Sequence, residues 1–194
     1  MTNQIGKYDE RNRFWTEQAL NQFGNASNFF FLISTGFLAF LLERNKLETI
    51  FKIDFSLTFK WSIFFYALAI ICSVLSLFAS AMTVLSRLHD LRLTRHVVWI
   101  RKKSYDDHKL EFCEEHTDLS GVGFGELFQN LISTLMKNDY FINDDDITST
   151  SIIKKFSALR KRNLLLAKFS WKSMNFQIAT LLFSLLLYVL SNIT

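Results

Sequence analysis

Arg101 and His108 are separated by six residues. Together they have the types needed to work on a phosphodiester: a guanidinium to polarise the phosphate and an imidazole to shuttle protons. Lys102 adds a second cation beside the arginine. A solvated basic helix end accounts for the same residues without any chemistry. His108, Cys113 and His116 are suitable donors for zinc, with Glu111, Glu114 or Glu115 as a further ligand. Their spacing matches no familiar site, so no metal is expected. The run Gly121-Val122-Gly123-Phe124-Gly125 lacks the following Lys-Ser/Thr and the preceding strand of a phosphate loop, and reads as a hinge or tight turn. No Ser-His-Asp or Cys-His constellation stands out. The expectation is a protein that is not an enzyme and carries no cofactor.

A different pattern is more regular. Ser62, Tyr66, Ala69, Ser73, Ser76, Ser80, Thr83 and Arg87 follow one another at alternating steps of four and three. That is a 3.5-residue period, which keeps all of them on one helix face. Ser173, Gln177, Thr180, Ser184, Leu187 and Ser191 repeat it. Small hydroxylated residues let helices approach closely and bond across the contact. Ser73, Ser76, Ser80, Thr83, Gln177, Thr180 and Ser184 therefore form either a packing seam between helices or protomers, or the wet lining of a pore in an oligomer.

Both stripes lie in charge-free apolar stretches. Residues 26–42, 61–85 and 174–193 contain no Asp, Glu, Lys, Arg or His. Each is about long enough to cross a ~30 Å hydrocarbon core at 1.5 Å per residue. The middle stretch holds twelve Leu, Ile, Phe or Val in 25 residues. At roughly −0.3 to −0.6 kcal/mol each, insertion is favoured by several kcal/mol with no central charge to oppose it. The absence of mid-membrane charge also argues against a proton-coupled transporter or an ion pump. Proline is absent, where about ten would be expected at ~5% usage. Unbroken helices follow from that. Only Cys72 and Cys113 occur, so a disulfide framework is not expected. Residues 1–25 are too polar for a typical cleaved signal peptide.

Charge sets the orientation. Of the 22 Lys and Arg, 15 lie in residues 86–173. Arg87, Arg92, Arg95, Arg101, Lys102 and Lys103 follow the second stretch. Arg160, Lys161 and Arg162 are among those preceding the third. By the positive-inside bias this segment is cytoplasmic, the N-terminus is cytoplasmic and the C-terminus external. The fold class expected is an all-α integral membrane protein, with three transmembrane helices and long helices extending into a small helical lobe. The divisions are a juxtamembrane helix in 1–25, spans at 26–42, 61–85 and 174–193, an external loop at 43–60, and the lobe at 86–173. Within the lobe the first helix continues through 86–104, a short amphipathic helix covers 126–137, and a last helix runs from about 150 to the C-terminus. Ile50–Phe55 reads as a short strand or a surface-lying segment. Thr148 or Ser149 is a candidate cap for the last helix.

The basic residues flanking the lobe can fix topology and contact anionic lipid headgroups, or hold an acidic partner. The lobe has 15 basic against 12 acidic residues, so direct nucleic-acid binding is not expected.

Arg11–Leu20, the first two spans and Ser86-Arg87-Leu88-His89-Asp90-Leu91-Arg92-Leu93-Thr94-Arg95 together resemble the layout of SLATT-type membrane effectors of bacterial conflict systems. In size and multi-span character the chain is also similar to the membrane component of the Kiwa anti-phage system. Separately, Arg101 and His108 resemble the Arg-then-His motif of HEPN-type RNases, whereas Arg92 and His96 stand one residue too close for it. The first two resemblances imply an anti-phage protein of the cell membrane. It would act as a homo-oligomer, a tetramer or larger, that forms a pore or senses membrane damage. The alternative is a membrane scaffold that recruits a soluble cytoplasmic effector protein. The third resemblance implies a membrane-tethered RNase.

Overall fold

The computed structural model describes residues 2–43, 61–108, 119, 121–136, 141–142 and 152–193. Side chains are described within these ranges except at 2–16, 19–20 and 105–108. The chain is all-helical, with no strand among the described residues. Its helices are α1 (Thr2–Glu43), α2 (Trp61–His108), α3 (Phe124–Met136) and α4 (Ile152–Ile193). Three of them, α1, α2 and α4, are long and apolar enough to cross a membrane.

The expected helix after the second apolar stretch is found, and it runs on to His108. The short amphipathic helix is found as α3 and the long last helix as α4, about 63 Å in length at 1.5 Å per residue. The helix expected in 1–25 and the first apolar stretch lie on one continuous helix that passes through Gly24-Asn25. An interior glycine costs only about 1 kcal/mol, and no proline removes a backbone bond there. The Ile50–Phe55 run and the Thr148 and Ser149 caps lie outside the described residues.

The chain forms two compact units, Met1–Ser80 with Met174–Thr194, and Ala81–Ser173. In the first, α2 runs antiparallel to both α1 and α4. The Ser184 hydroxyl donates to the Ala69 carbonyl at 2.5 Å and the Ser76 hydroxyl to the Gln177 carbonyl at 3.1 Å, so numbers rise on α2 as they fall on α4. The Tyr66 hydroxyl donates to the Leu41 carbonyl. Around it Leu41, Ala69, Cys72 and Leu187 are buried, with Phe37 and Tyr188 packed alongside. The rings of Phe37 and Phe40 meet Tyr188 edge-on at 5.8 and 5.5 Å. Phe29, Leu32, Phe64, Ile71, Phe78, Leu182 and Leu186 point outward and are exposed. Small polar residues inside with large apolar residues outside is the arrangement that suits a hydrocarbon solvent.

The second unit has the opposite arrangement. Leu93, Val97 and Ile100 of α2, Leu127 and Leu131 of α3, and Ile152, Phe156, Leu159, Leu166 and Phe169 of α4 form one buried apolar cluster. The steps are again four and three, so each long helix keeps one inward face while its chemistry changes. Unbroken 3.5-residue spacing is the condition for helices to stay in contact over such lengths, by coiling left-handedly. The Phe124 and Phe128 rings lie 5.3 and 6.4 Å from that of Phe169, seating α3 on the cluster. The chain enters α3 through a turn in which the Val122 N–H donates to the Leu119 carbonyl at 3.2 Å, and Lys168 also reaches that carbonyl.

Candidate functional site

The hydroxyl stripe of the first unit faces the interior of its own chain. Ser73, Ser76, Ser80, Gln177 and Ser184 are each 0% exposed. The Ser34 and Ser76 hydroxyls are 2.9 Å apart, and Ser76 donates onward to the Gln177 carbonyl. A hydroxyl has one proton, so Ser34 is the donor to Ser76, and the three helices are tied by a directed chain of two bonds. Thr180 is half-buried and turns its hydroxyl back to the Phe176 carbonyl of its own helix at 2.8 Å. Among the described residues Ser27, Ser73 and Ser80 have no hydrogen-bond partner, and neither does either end of the Gln177 amide. An unsatisfied buried polar group costs about 1–3 kcal/mol, so this seam is specific in shape and only partly satisfied in bonding. Ser27 and Ser34 were not singled out in the sequence. Their signal was present, because Phe23, Ser27, Phe30, Ser34, Phe37 and Leu41 follow the same steps.

The second unit holds a polar hub inside its apolar seam. The Asn163 amide nitrogen donates to the Asp90 carboxylate at 2.8 Å, to the Asp90 carbonyl at 3.0 Å and to the Thr94 hydroxyl at 2.9 Å. Arg87 pairs with the Asp90 carboxylate at 2.5 Å, and Arg160 donates to the Asn163 carbonyl oxygen at 3.0 Å. Burial pushes the Asp90 carboxyl above the usual range, opposed by Arg87, Asn163 and Arg160. Asp90 and Asn163 are 5% and 3% exposed. The hub thus clamps α2 to α4 and uses up Arg87 and Arg160, two of the basic residues marked as lipid or partner contacts. Sequence reading missed it, although Arg87, Asp90, Thr94 and Val97 continue the stripe on α2 and Asn163 occupies an inward position on α4.

The other basic residues divide by surroundings. The Arg101 guanidinium carbon lies 5.6 Å from the Phe156 ring centre, and the Lys103 ammonium 5.2 Å from that of Trp99. Lys102 and Lys161 are exposed and Arg162 is half-buried. The His108 side chain lies outside the described residues, as do Cys113, His116 and the neighbouring glutamates. The Arg101–His108 pair and the zinc donors therefore have no described geometry. Among the described residues no group of three His, Cys, Asp or Glu is placed to hold a metal.

Arg92 and Arg95 remain, and they border an open groove of about 520 Å³ with Leu88, Leu91, His96 and Phe141. Arg92 covers the Phe141 ring at 4.8 Å. His96 stacks on Trp99 at 5.5 Å and meets Phe141 edge-on at 4.9 Å. The Ile142 N–H donates to His96 Nε2 at 3.1 Å, which requires the neutral ring with its proton on Nδ1. Burial lowers the His96 pKa, and burial together with Arg92 lowers that of His89.

In comparisons with known proteins, no family model, no curated protein and no solved structure matched the chain.

Proposed function

We propose that this chain is a bacterial inner-membrane protein of anti-phage defence. In this reading α1, α2 and α4 are the three spans, with the N-terminus cytoplasmic, the C-terminus external and the second unit in the cytoplasm. The spans respond to disturbance of the bilayer, and the second unit passes that response to a soluble effector. The observation that carries it is the continuity of α2 and α4, each of which runs unbroken from a charge-free stretch into the second unit. In this reading an unbroken helix carries a shift of its inward face from one unit into the other. The inward hydroxyl stripe favours this relay over a pore, because a pore lining must face water. The oligomer expected is a homo-oligomer of four or more, read from the native mass of the gently solubilised complex. A single copy would overturn that part.

The test is to break the continuity while leaving both units intact. Flexible Gly/Ser segments of about ten residues, which behave as random coil, are inserted at the unit boundaries, between Ser80 and Ala81 and between Ser173 and Met174. Plaque counts are then taken in cells carrying the chain with its natural neighbouring genes. Loss of protection with normal membrane recovery is the expected result. Full protection would reduce the spans to anchors and favour the scaffold reading. Failure of the intact chain and its neighbours to lower plaque counts would overturn the defence role. Normal protection by an Arg101→Ala, His108→Ala double variant would dispose of the tethered RNase.

A further inference from the structure

We infer that the Arg92–Arg95 groove is a binding site for the headgroup of an anionic phospholipid. The inference rests on α2 being a span, and deepens that reading by naming the lipid class and the residues that hold it. It does not depend on which side of the membrane the second unit occupies.

Depth is the first argument. The charge-free stretch of α2 ends at Leu85. At 1.5 Å per residue, Leu88 lies about 4 Å, Arg92 about 10 Å and Arg95 about 15 Å past that end. Side chains on a helix tilt toward its N-terminus, which on α2 is the direction of the span. An arginine reaching back about 6 Å brings its guanidinium to about 4 Å beyond the hydrocarbon for Arg92, inside the headgroup layer of about 5–8 Å, and to about 9 Å for Arg95, at that layer's outer edge.

Chemistry is the second. Among the described residues neither Arg92 nor Arg95 has an ion pair, and both are exposed. Arg92 is held over Phe141 and so fixed in direction. Two guanidiniums side by side suit a phosphate, which accepts bidentate bonds. The groove's remaining lining is apolar at Leu88 and Leu91, which are 59% and 38% exposed. With exposed Val84 they prolong the lipid-facing surface of α2 past the end of the stretch. An acyl chain lying along that surface and a phosphate at the arginines satisfy both halves of the groove. A second copy related by a twofold axis along the membrane normal does not, because it sets Arg95 against Arg95.

The full chain is reconstituted in nanodiscs of neutral phosphatidylcholine with a small fraction of phosphatidylglycerol, and retained lipids are counted by native mass spectrometry. The wild type and a Lys154→Gln, Lys161→Gln control retain phosphatidylglycerol preferentially. The Arg92→Gln, Arg95→Gln variant retains it about thirtyfold less well, as loss of two near-surface charges implies. Arg92→Lys, Arg95→Lys restores most of the retention, which a folding defect would not allow. Arg95→Gln alone, which disturbs no described contact, weakens retention by several-fold. Equal retention by the wild type and the double glutamine variant overturns the site. So does displacement of the bound lipid by millimolar glycerol phosphate, which would show that the groove takes free phosphate esters. Failure of the chain to enter nanodiscs at all would instead overturn the membrane reading beneath it.

Discussion

Replacing Asn163 with leucine tests the hub between α2 and α4. The two protons of the amide nitrogen are shared among three acceptors, one of them a buried carboxylate. Hydrogen bonds to charged groups contribute about 1.5–3 kcal/mol, and a buried group left unpaired costs about 1–3 kcal/mol. Arg87 still compensates part of the Asp90 charge. The net loss for Asn163→Leu is therefore about 3 kcal/mol. Asp90→Leu costs less, about 1–2 kcal/mol, because Asn163 keeps the Asp90 backbone carbonyl and Thr94 as partners. The double leucine variant extends the apolar seam and removes both burdens at once, so it should lie within about 1 kcal/mol of the wild type. The coupling between the two positions is then about 3–5 kcal/mol. The assay is thermal unfolding of all four proteins in one detergent. At about 2–4 °C per kcal/mol for a chain of this size, Asn163→Leu falls by about 6–12 °C and the double variant recovers most of that. Hydrogen exchange should place the loss in α2 and α4 of the second unit. Two single effects that simply add would refute the hub as the clamp described here.

Other perturbations separate the two kinds of packing and the role of His96. Leu166→Ala, at a fully buried position of the second unit, should cost about 2–5 kcal/mol in the same unfolding assay. Ser80→Leu overfills a fully buried seam and should cost about 1–3 kcal/mol, whereas leucine at the exposed Val74 should leave the transition within 1–2 °C. His96 accepts from the Ile142 N–H only when neutral, and its lowered pKa places protonation below the ordinary imidazole value of about 6.5. A lowered histidine stabilises the fold less as pH falls. Protection of the Ile142 amide, corrected for intrinsic exchange, should thus hold at neutral pH and drop as the solution is acidified below the ordinary imidazole range. In His96→Leu that protection should be low at every pH.

Long helices were legible because nothing in the chain interrupts them: no proline is present and the inward residues keep their steps. The same regularity showed which residues of α2 and α4 share a face. It did not show what that face meets. A stripe that packs inside one chain and a stripe that packs against a neighbour have identical spacing, and only tertiary placement separates them. Gly24 and Asn25 do not interrupt α1, because their small cost is overridden by the helix on either side. Asp90 was missed for another reason. A carboxylate three residues beyond an arginine reads as an exposed surface pair, and its burial depends on Asn163, which lies 73 positions away.

One helix, α4, passes from a seam filled by Leu159, Leu166 and Phe169 to one filled by Gln177 and Ser184 without changing its periodicity. Its rules of replacement invert along the way. Before residue 173, drift toward polar side chains is free on the outer face and forbidden on the inner one. After it, bulk and oiliness are free on the outer face and ruinous within. A saturating substitution map of this single helix would read as two alphabets written in one script, changing near Ser173, where the charge-free stretch begins.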